Sequence, residues 1–418
     1  MAQKTKQWAA IVMMVALFAM IAFVTNLCSP MAVIVQNQFG ASEFQSQIGN
    51  YANFIAYLVM GIPSGMLIVK FGYKKTALLA LIVGIVGMVL ELLSGTLESM
   101  WVYLLGAFIA GFCMCMLNTV VNPLLNVLGG GGNTGNQLIQ IGGAFNSAAA
   151  VAVYIILGAL IGEVTKDTAI VDAAPAMYIA LAIFAVAFVV LLLTKIEEPE
   201  QEPVKVELIK GALSHRHFAL GALAIFLYMS VEVGTPTYMI KYLISPEVGV
   251  SAGVASLIAA VYWFAMFIGR TIGGSIGGKV SSRTMVTTVA IAAIALLAFG
   301  MFAPSTWTVE VPGVDWAKLS VIWVNVPIGV AAFICVGLCT SVMWGGIFNM
   351  AVEGLGKYTA AASGIFMTMV FGCAIMVALQ AVVADNCGFL VSYIIPLICA
   401  AYILFYALVG SRVKKTAE

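Results

Sequence analysis

Charge is scarce in this chain. Only 9% of its 418 residues are Asp, Glu, Lys or Arg, where an average soluble domain carries about 25%. Hydrophobic residues make up 62%, more than a soluble core of this size can hide. The apolar runs are 20 residues or longer, whereas an outer-membrane barrel shows alternating segments of about ten. A net charge of +1 gives no bulk electrostatic attraction for nucleic acid. Histidine is nearly absent: His215 and His217 are the two. The eight cysteines show no metal-ligand spacing and read as small core residues. There is no Gly-x-x-x-x-Gly-Lys-Ser/Thr loop, so ATP is not the expected energy source. The run Gly129 to Gly132 lacks the lysine and reads as a hinge loop. These absences argue against an enzyme, a metal or an organic cofactor.

What is present is length in the apolar runs. A helix satisfies its own backbone in lipid, and a span needs about 20 apolar residues. That rule predicts twelve spans: 8–34, 47–69, 76–96, 101–127, 137–163, 174–194, 217–244, 252–277, 283–303, 319–351, 359–384 and 389–411. No cleavage signal follows the first run, which is expected to be a retained helix. If the N-terminus is cytoplasmic, 15 of the 19 basic residues fall in cytoplasmic segments. Lys166, Lys241 and Lys318 fall opposite, and Arg270 lies inside span 8. That asymmetry supports both the count and the orientation, with both termini cytoplasmic. The charged stretch from Lys195 to His217 divides the spans six and six. The expected domains are residues 1–194 and 217–418 as two six-helix bundles, joined by a cytoplasmic linker over 195–216.

One acid stands out. Glu232 sits mid-way along the apolar run from Phe218 to Ile244. A carboxylate there costs roughly 2.5–3.5 kcal/mol on insertion scales, and residues that costly usually face a water-filled path or carry an ion. Its bland alternative is a buried carboxyl that locks helix packing. Glu91 lies about five residues from the outer end of span 3 and reads as interfacial, while Glu163 and Asp385 sit at span ends. Polar groups cluster as well. Asn118, Asn122, Gln140 and Asn146 lie in the first half, with Asn349 and Gln380 in the second. Such amides carry donor and acceptor together, as hydroxyl-rich ligands require. Trp263 and Trp344 offer apolar faces for a ring. The alternative for any one amide is a helix-to-helix hydrogen bond, typically about 0.6 kcal/mol.

Several stretches carry a resemblance. Gly65 to Lys75, between spans 2 and 3, resembles the glycine-and-basic loop motif of the major facilitator superfamily, with Val69 at its acidic position. Asn122-Pro123, the following Val127-Leu128-Gly129, and Phe145-Asn146-Ser147 resemble the fucose/proton symporter family, which includes glucose/galactose transporters. Glu232-Val233 with Gly234, Tyr262-Trp263, Ile268-Gly269-Arg270 and Gly354 to Thr359 continue the likeness in order, from about Asn26 to Asp385. The resemblance implies an all-α major facilitator fold and import of a monosaccharide by alternating access, coupled to H+ or Na+. It implies a monomer in the lipid of a bacterial inner membrane. The expected substrate contacts are Asn118, Gln140, Asn146, Trp263, Trp344 and Asn349, with Glu232 for ion coupling. Arg270 is expected to be structural or gating.

The chain departs from that family where protons are carried. The family's span-1 aspartate position falls on Ser29, its span-4 glutamate on Asn118 and its span-5 glutamine on Gly143. Neither Ser29 nor Asn118 titrates, which leaves Glu232 as the midplane acid. A sugar uniporter, an exporter of lipophilic compounds and a non-transporting sugar sensor stay open as alternatives.

Overall fold

The computed structural model describes residues 8–40, 43–161, 168–196, 206–315 and 320–413. Glu163 and most of the acidic linker run therefore lie outside the described residues, as does the side chain of Ser29. Among the described residues, ten helical segments are long and apolar enough to cross a membrane. One of them, within α2 (Glu43–Thr96), holds two passes, because Gly72 adopts φ 83° and turns the chain back. A left-handed φ of that kind is ordinary only for glycine. Adding α4 (Gly132–Ile161) completes twelve.

The first half comprises α1 (Trp8–Phe39), α2, α3 (Met100–Leu128), α4 and α5 (Ala174–Leu193). A short helix, α6 (Val206–Ser214), follows in the linker. It docks beside the second half: a Cβ on its Gly211 would collide with the Tyr358 ring, and His215, just past its end, lies 5.4 Å from that ring. The second half begins with α7 (Arg216–Met229), a π-helical turn (Ser230–Gly234) and α8 (Thr235–Ile244), which together form one pass. Then come α9 (Ala252–Ile276), α10 (Ser282–Phe302), strands β1 (Thr308–Asp315) and β2 (Ser320–Pro327), and the broken pass α11 (Ile328–Thr340) with α12 (Met343–Val352). The pass of α13 (Thr359–Thr368) and α14 (Gly372–Cys387) precedes the last, α15 (Phe389–Ser392) and α16 (Ile394–Phe405).

We call the face bearing α6 and the Gly72 turn the linker side, and the opposite face the far side. The outer surface is apolar: Val186, Val189 and Leu193 of α5 are exposed, as are Ile272 and Phe302. Such a continuous apolar exterior suits lipid rather than water. Trp101, at the far-side start of α3, is 82% exposed, where an amphipathic ring suits the headgroup level.

Three expectations change here. Span 10 begins at Ile328, not at 319, because residues 320–327 form β2, paired antiparallel with β1 from Thr308↔Pro327 to Asp315↔Ser320. The run Ser-Val-Ile-Trp-Val-Asn-Val-Pro alternates with period two and is β-branched, but its apolarity merges it with the following helix in a hydropathy reading. Glu91 lies near the far-side end of its pass but is only 3% exposed, tucked where Gly106 leaves room: a Cβ there would come within 2.8 Å of Glu91 Cγ. Cys113, Cys115, Cys339, Cys373 and Cys399 are buried as expected, whereas Cys335 and Cys387 are exposed.

Candidate functional site

A cavity of about 180 Å³ lies between the two halves. The first half lines it with Phe18, Thr25, Asn26, Tyr57, Asn118 and Asn146, and the second with Glu232, Trp263, Arg270 and Trp344. It extends toward the far side, where Tyr51, Thr237 and Lys241 line it.

Glu232 reaches the cavity from a local break in its helix. Pro236 has no N–H, so it cannot bond the Glu232 carbonyl four residues back. The chain takes a π-helical turn over Ser230–Gly234 at that point, a distortion frequent at functional sites. Tyr262 of α9 supplies the missing donor: its Oη donates to Glu232 O at 3.0 Å. Tyr262 Oη also lies 3.1 Å from Thr340 Oγ1, tying the break to α11. Gly234 lets Gln380 of α14 come close, for a Cβ there would collide with Gln380 Oε1.

The Glu232 carboxylate pairs with Arg270, Oε1 to Nη2 at 3.3 Å, with the side chains 13% and 7% exposed. A buried pair of this kind is held by its own neutrality. Removing one member typically costs about 3–5 kcal/mol, because the other is left as an unpaired buried charge. Arg270 also donates through Nη1 to Gly143 O at 2.9 Å, Ser147 Oγ at 2.9 Å and Asn146 Oδ1 at 3.1 Å. Its Nε donates to Ser341 O at 3.3 Å. Gly143 makes this possible, since a Cβ at that position would lie 3.0 Å from Arg270 Cδ. Where the resembled family has glutamine, the chain has made space for a guanidinium.

A second polar chain crosses the cavity floor. Trp344 Nε1 donates to Asn122 Oδ1 at 3.1 Å. Asn122 Nδ2 donates to Asn118 O at 3.0 Å, and Asn118 Nδ2 to Tyr57 Oη at 2.9 Å. A hydroxyl that accepts in this way keeps its own proton to donate. The exposed parts of Trp344 and Trp263 face the same space. Each ring is braced edge-on, Trp344 by Phe366 at 5.7 Å and Trp263 by Tyr262 at 5.5 Å between centroids.

The cavity thus gathers Asn118, Asn146, Trp263, Trp344 and Glu232. It does not gather Gln140 or Asn349. Gln140 Nε2 donates to Val342 O at 3.3 Å, on the linker side of Arg270. Asn349 Oδ1 accepts from Asn126 at 3.4 Å and its Nδ2 donates to Ser282 at 2.9 Å. These amides join the two halves below the floor, and Asn349 lines a separate linker-side cavity with Arg283 and Glu353. Close helix crossings accompany them. Gly277 and Gly278, just past the end of α9, sit against Gln137 of α4, and Gly61 of α2 against Thr368 of α13. The two halves are therefore closed on the linker side. Asn122 and Tyr57 were not among the expected site residues, and Arg270 was expected to be structural or gating rather than a substrate contact. For Arg270 the signal was available: a charge inside a span is as costly as Glu232, and each is the other's natural partner.

A sequence profile of the Major Facilitator Superfamily matches residues 13–379. A glucose/galactose transporter of Brucella abortus (strain 2308) is 28% identical over 403 residues, 95% of this chain and 92% of that protein. The L-fucose-proton symporter of Escherichia coli (strain K12) is 22% identical, over 94% of this chain and 90% of its own length. The crystal structure of FucP, a superfamily transporter in the outward conformation, superposes with a TM-score of 0.77 at 22% identity. It covers 95% of this chain and 97% of that one. With most of its length matched by the profile and its whole helical plan matched by the solved fold, the chain belongs to the Major Facilitator Superfamily.

Proposed function

We propose that this protein is a secondary transporter that imports a monosaccharide, a hexose or deoxyhexose, by alternating access. The observation that carries the reading is the cavity between the halves, lined by amides, a phenol and two tryptophans and closed on one side by hydrogen bonds between the halves. Sugar hydroxyls need groups that donate and accept, and a pyranose face needs an apolar ring. The names of the Brucella abortus and Escherichia coli relatives support the same substrate class. The sugar would sit against Asn118, Asn146, Trp263 and Trp344. The rigid halves are residues 1–194 and 217–418, with 195–216 as linker. The linker side faces the cytoplasm of a bacterium, with both termini there, and the protein works as a monomer in the inner membrane. The state described is then open to the outside.

Glu232 is the coupling acid, loaded by a proton or sodium ion from the cavity. Uptake of labelled hexoses into proteoliposomes tests the reading, with counterflow and accumulation measured under proton and sodium gradients. No uptake of any hexose under either gradient refutes it. Glu232→Gln should abolish accumulation and leave counterflow. A uniporter is the second reading, favoured by the neutral Ser29 and Asn118. It would show counterflow without accumulation in the unmodified protein.

A further inference from the structure

Four links described above join the halves at or below the cavity floor. Three are neutral: Trp344 to Asn122, Gln140 to Val342 O, and Asn126 to Asn349, at 3.1, 3.3 and 3.4 Å. The fourth is Arg270, whose bonds to Gly143 O and Ser147 Oγ are both 2.9 Å. A charged donor makes the stronger hydrogen bond, so Arg270 is the principal polar tie on this side of the cavity. Its counter-charge comes from its own half, from Glu232 at 3.3 Å, through one nitrogen. That carboxyl also lines the cavity, so a proton or cation entering from the far side reaches it directly.

We infer that Arg270 is a latch between the two halves and that loading of Glu232 from the cavity releases it. This rests on the reading of Glu232 as the coupling acid. With the carboxylate ionised, the pair is neutral overall and stays buried between the halves. A proton on Glu232, or a cation beside it, leaves Arg270 as an uncompensated charge in a dry interface. Separation of the halves on the linker side hydrates the guanidinium and breaks its bonds to Gly143, Asn146 and Ser147. Loading at the far side thereby favours opening at the other. The other titratable groups facing Glu232 are Tyr228, Tyr262 and Cys373, from α7, α9 and α14. Phenols and thiols are ordinarily neutral at pH 7, and α4 presents the neutral Asn146 and Ser147 to Arg270. Arg270 acts through Glu232 and the first half, so it is a positioning residue rather than a sugar ligand.

The test places spin labels at the exposed linker-side positions Lys75 and Lys279, one in each half, in a background whose native cysteines are replaced. Distances are measured in proteoliposomes at pH 7.5 and 5.5, without and with sodium. The expected result is a linker-side-open population that grows at least tenfold on acidification or on adding sodium. Glu232→Gln should show the raised linker-side-open population under every condition and lose the response. Arg270→Gln should lose it too, while Arg270→Lys keeps part of it. A wild-type distribution unmoved by both pH and sodium overturns the latch, as does a Glu232→Gln variant that keeps the wild-type response. If Arg270→Gln does not fold, the Glu232→Gln arm decides alone. Sugar counterflow in the same vesicles is scored separately: an intact ion response without counterflow sinks the sugar reading and leaves the latch standing.

Discussion

Replacing Gly61 by alanine should open the linker side of the protein. Gly61 lies on α2, in the first half, and crosses α13 of the second. A Cβ there would stand 2.6 Å from Thr368 N and 2.7 Å from Thr368 Cα. Both are backbone atoms, so no rotamer change relieves the clash. Ordinary contact begins at 3.4 Å, and the helices would have to part by nearly 1 Å. Overpacking of this kind costs about 1–3 kcal/mol. The contact exists only while the linker side is closed, so the cost falls on that state alone. At 1.4 kcal/mol per factor of ten, the open population should rise roughly 5- to 140-fold. The higher helix propensity of alanine, about 1 kcal/mol, acts equally on both states and cancels. Gly364→Ala should act in the same direction but more weakly, because its Cβ would lie 3.1 Å from Gly61 O. Distances between labels on Lys75 and Lys279 read the shift. An unchanged distribution for Gly61→Ala, or a larger effect from Gly364→Ala, would show that this crossing does not move during the cycle.

Other expectations are simpler. Asn118→Ala should weaken sugar affinity in counterflow by about tenfold, the worth of one or two hydrogen bonds, while Asn349→Ala leaves affinity unchanged and shifts only the open population. Trp344→Phe keeps the ring but leaves Asn122 Oδ1 without its indole donor; a loss of about 1–3 kcal/mol from the closed state should appear as a longer label distance. Tyr262→Phe leaves the Glu232 carbonyl without its substitute donor and should lower the melting temperature in detergent. Gly337→Ala should lower it further, because its Cβ would collide with the backbone carbonyl of Tyr262 and lie 3.2 Å from its carbonyl carbon.

The spans were legible because lipid imposes one demand, an apolar helix, and the basic residues record which side each loop lies on. Hydropathy could not tell the apolar strand 320–327 from the helix it leads into, because both are rich in apolar side chains and only the period differs. The amides were legible as a group but not by depth. Asn118 and Asn146 line the cavity, while Gln140 and Asn349, of the same chemistry, tie the halves together below it. Helix-to-helix bonding and ligand binding ask for the same side chains, so residue type alone does not separate them. Arg270 was legible as a charge inside a span, but not by the direction in which it points. A cation near the end of a predicted span can snorkel to the surface, and only the packing of α4 against α9 shows that it turns inward instead.

The β1–β2 hairpin has a practical consequence for imaging. A protein of 44.0 kDa whose mass lies almost wholly in a detergent belt gives particle alignment little to hold. Eight-residue strands paired along their full length stand on the far side, and their inner face rests on the helices, with Val311 and Val326 buried. The other face presents Val321 and Trp323, 66% and 65% exposed, as an ordered epitope. An antibody fragment raised against it would provide an orientation mark fixed to the second half, leaving the linker-side crossings free to move.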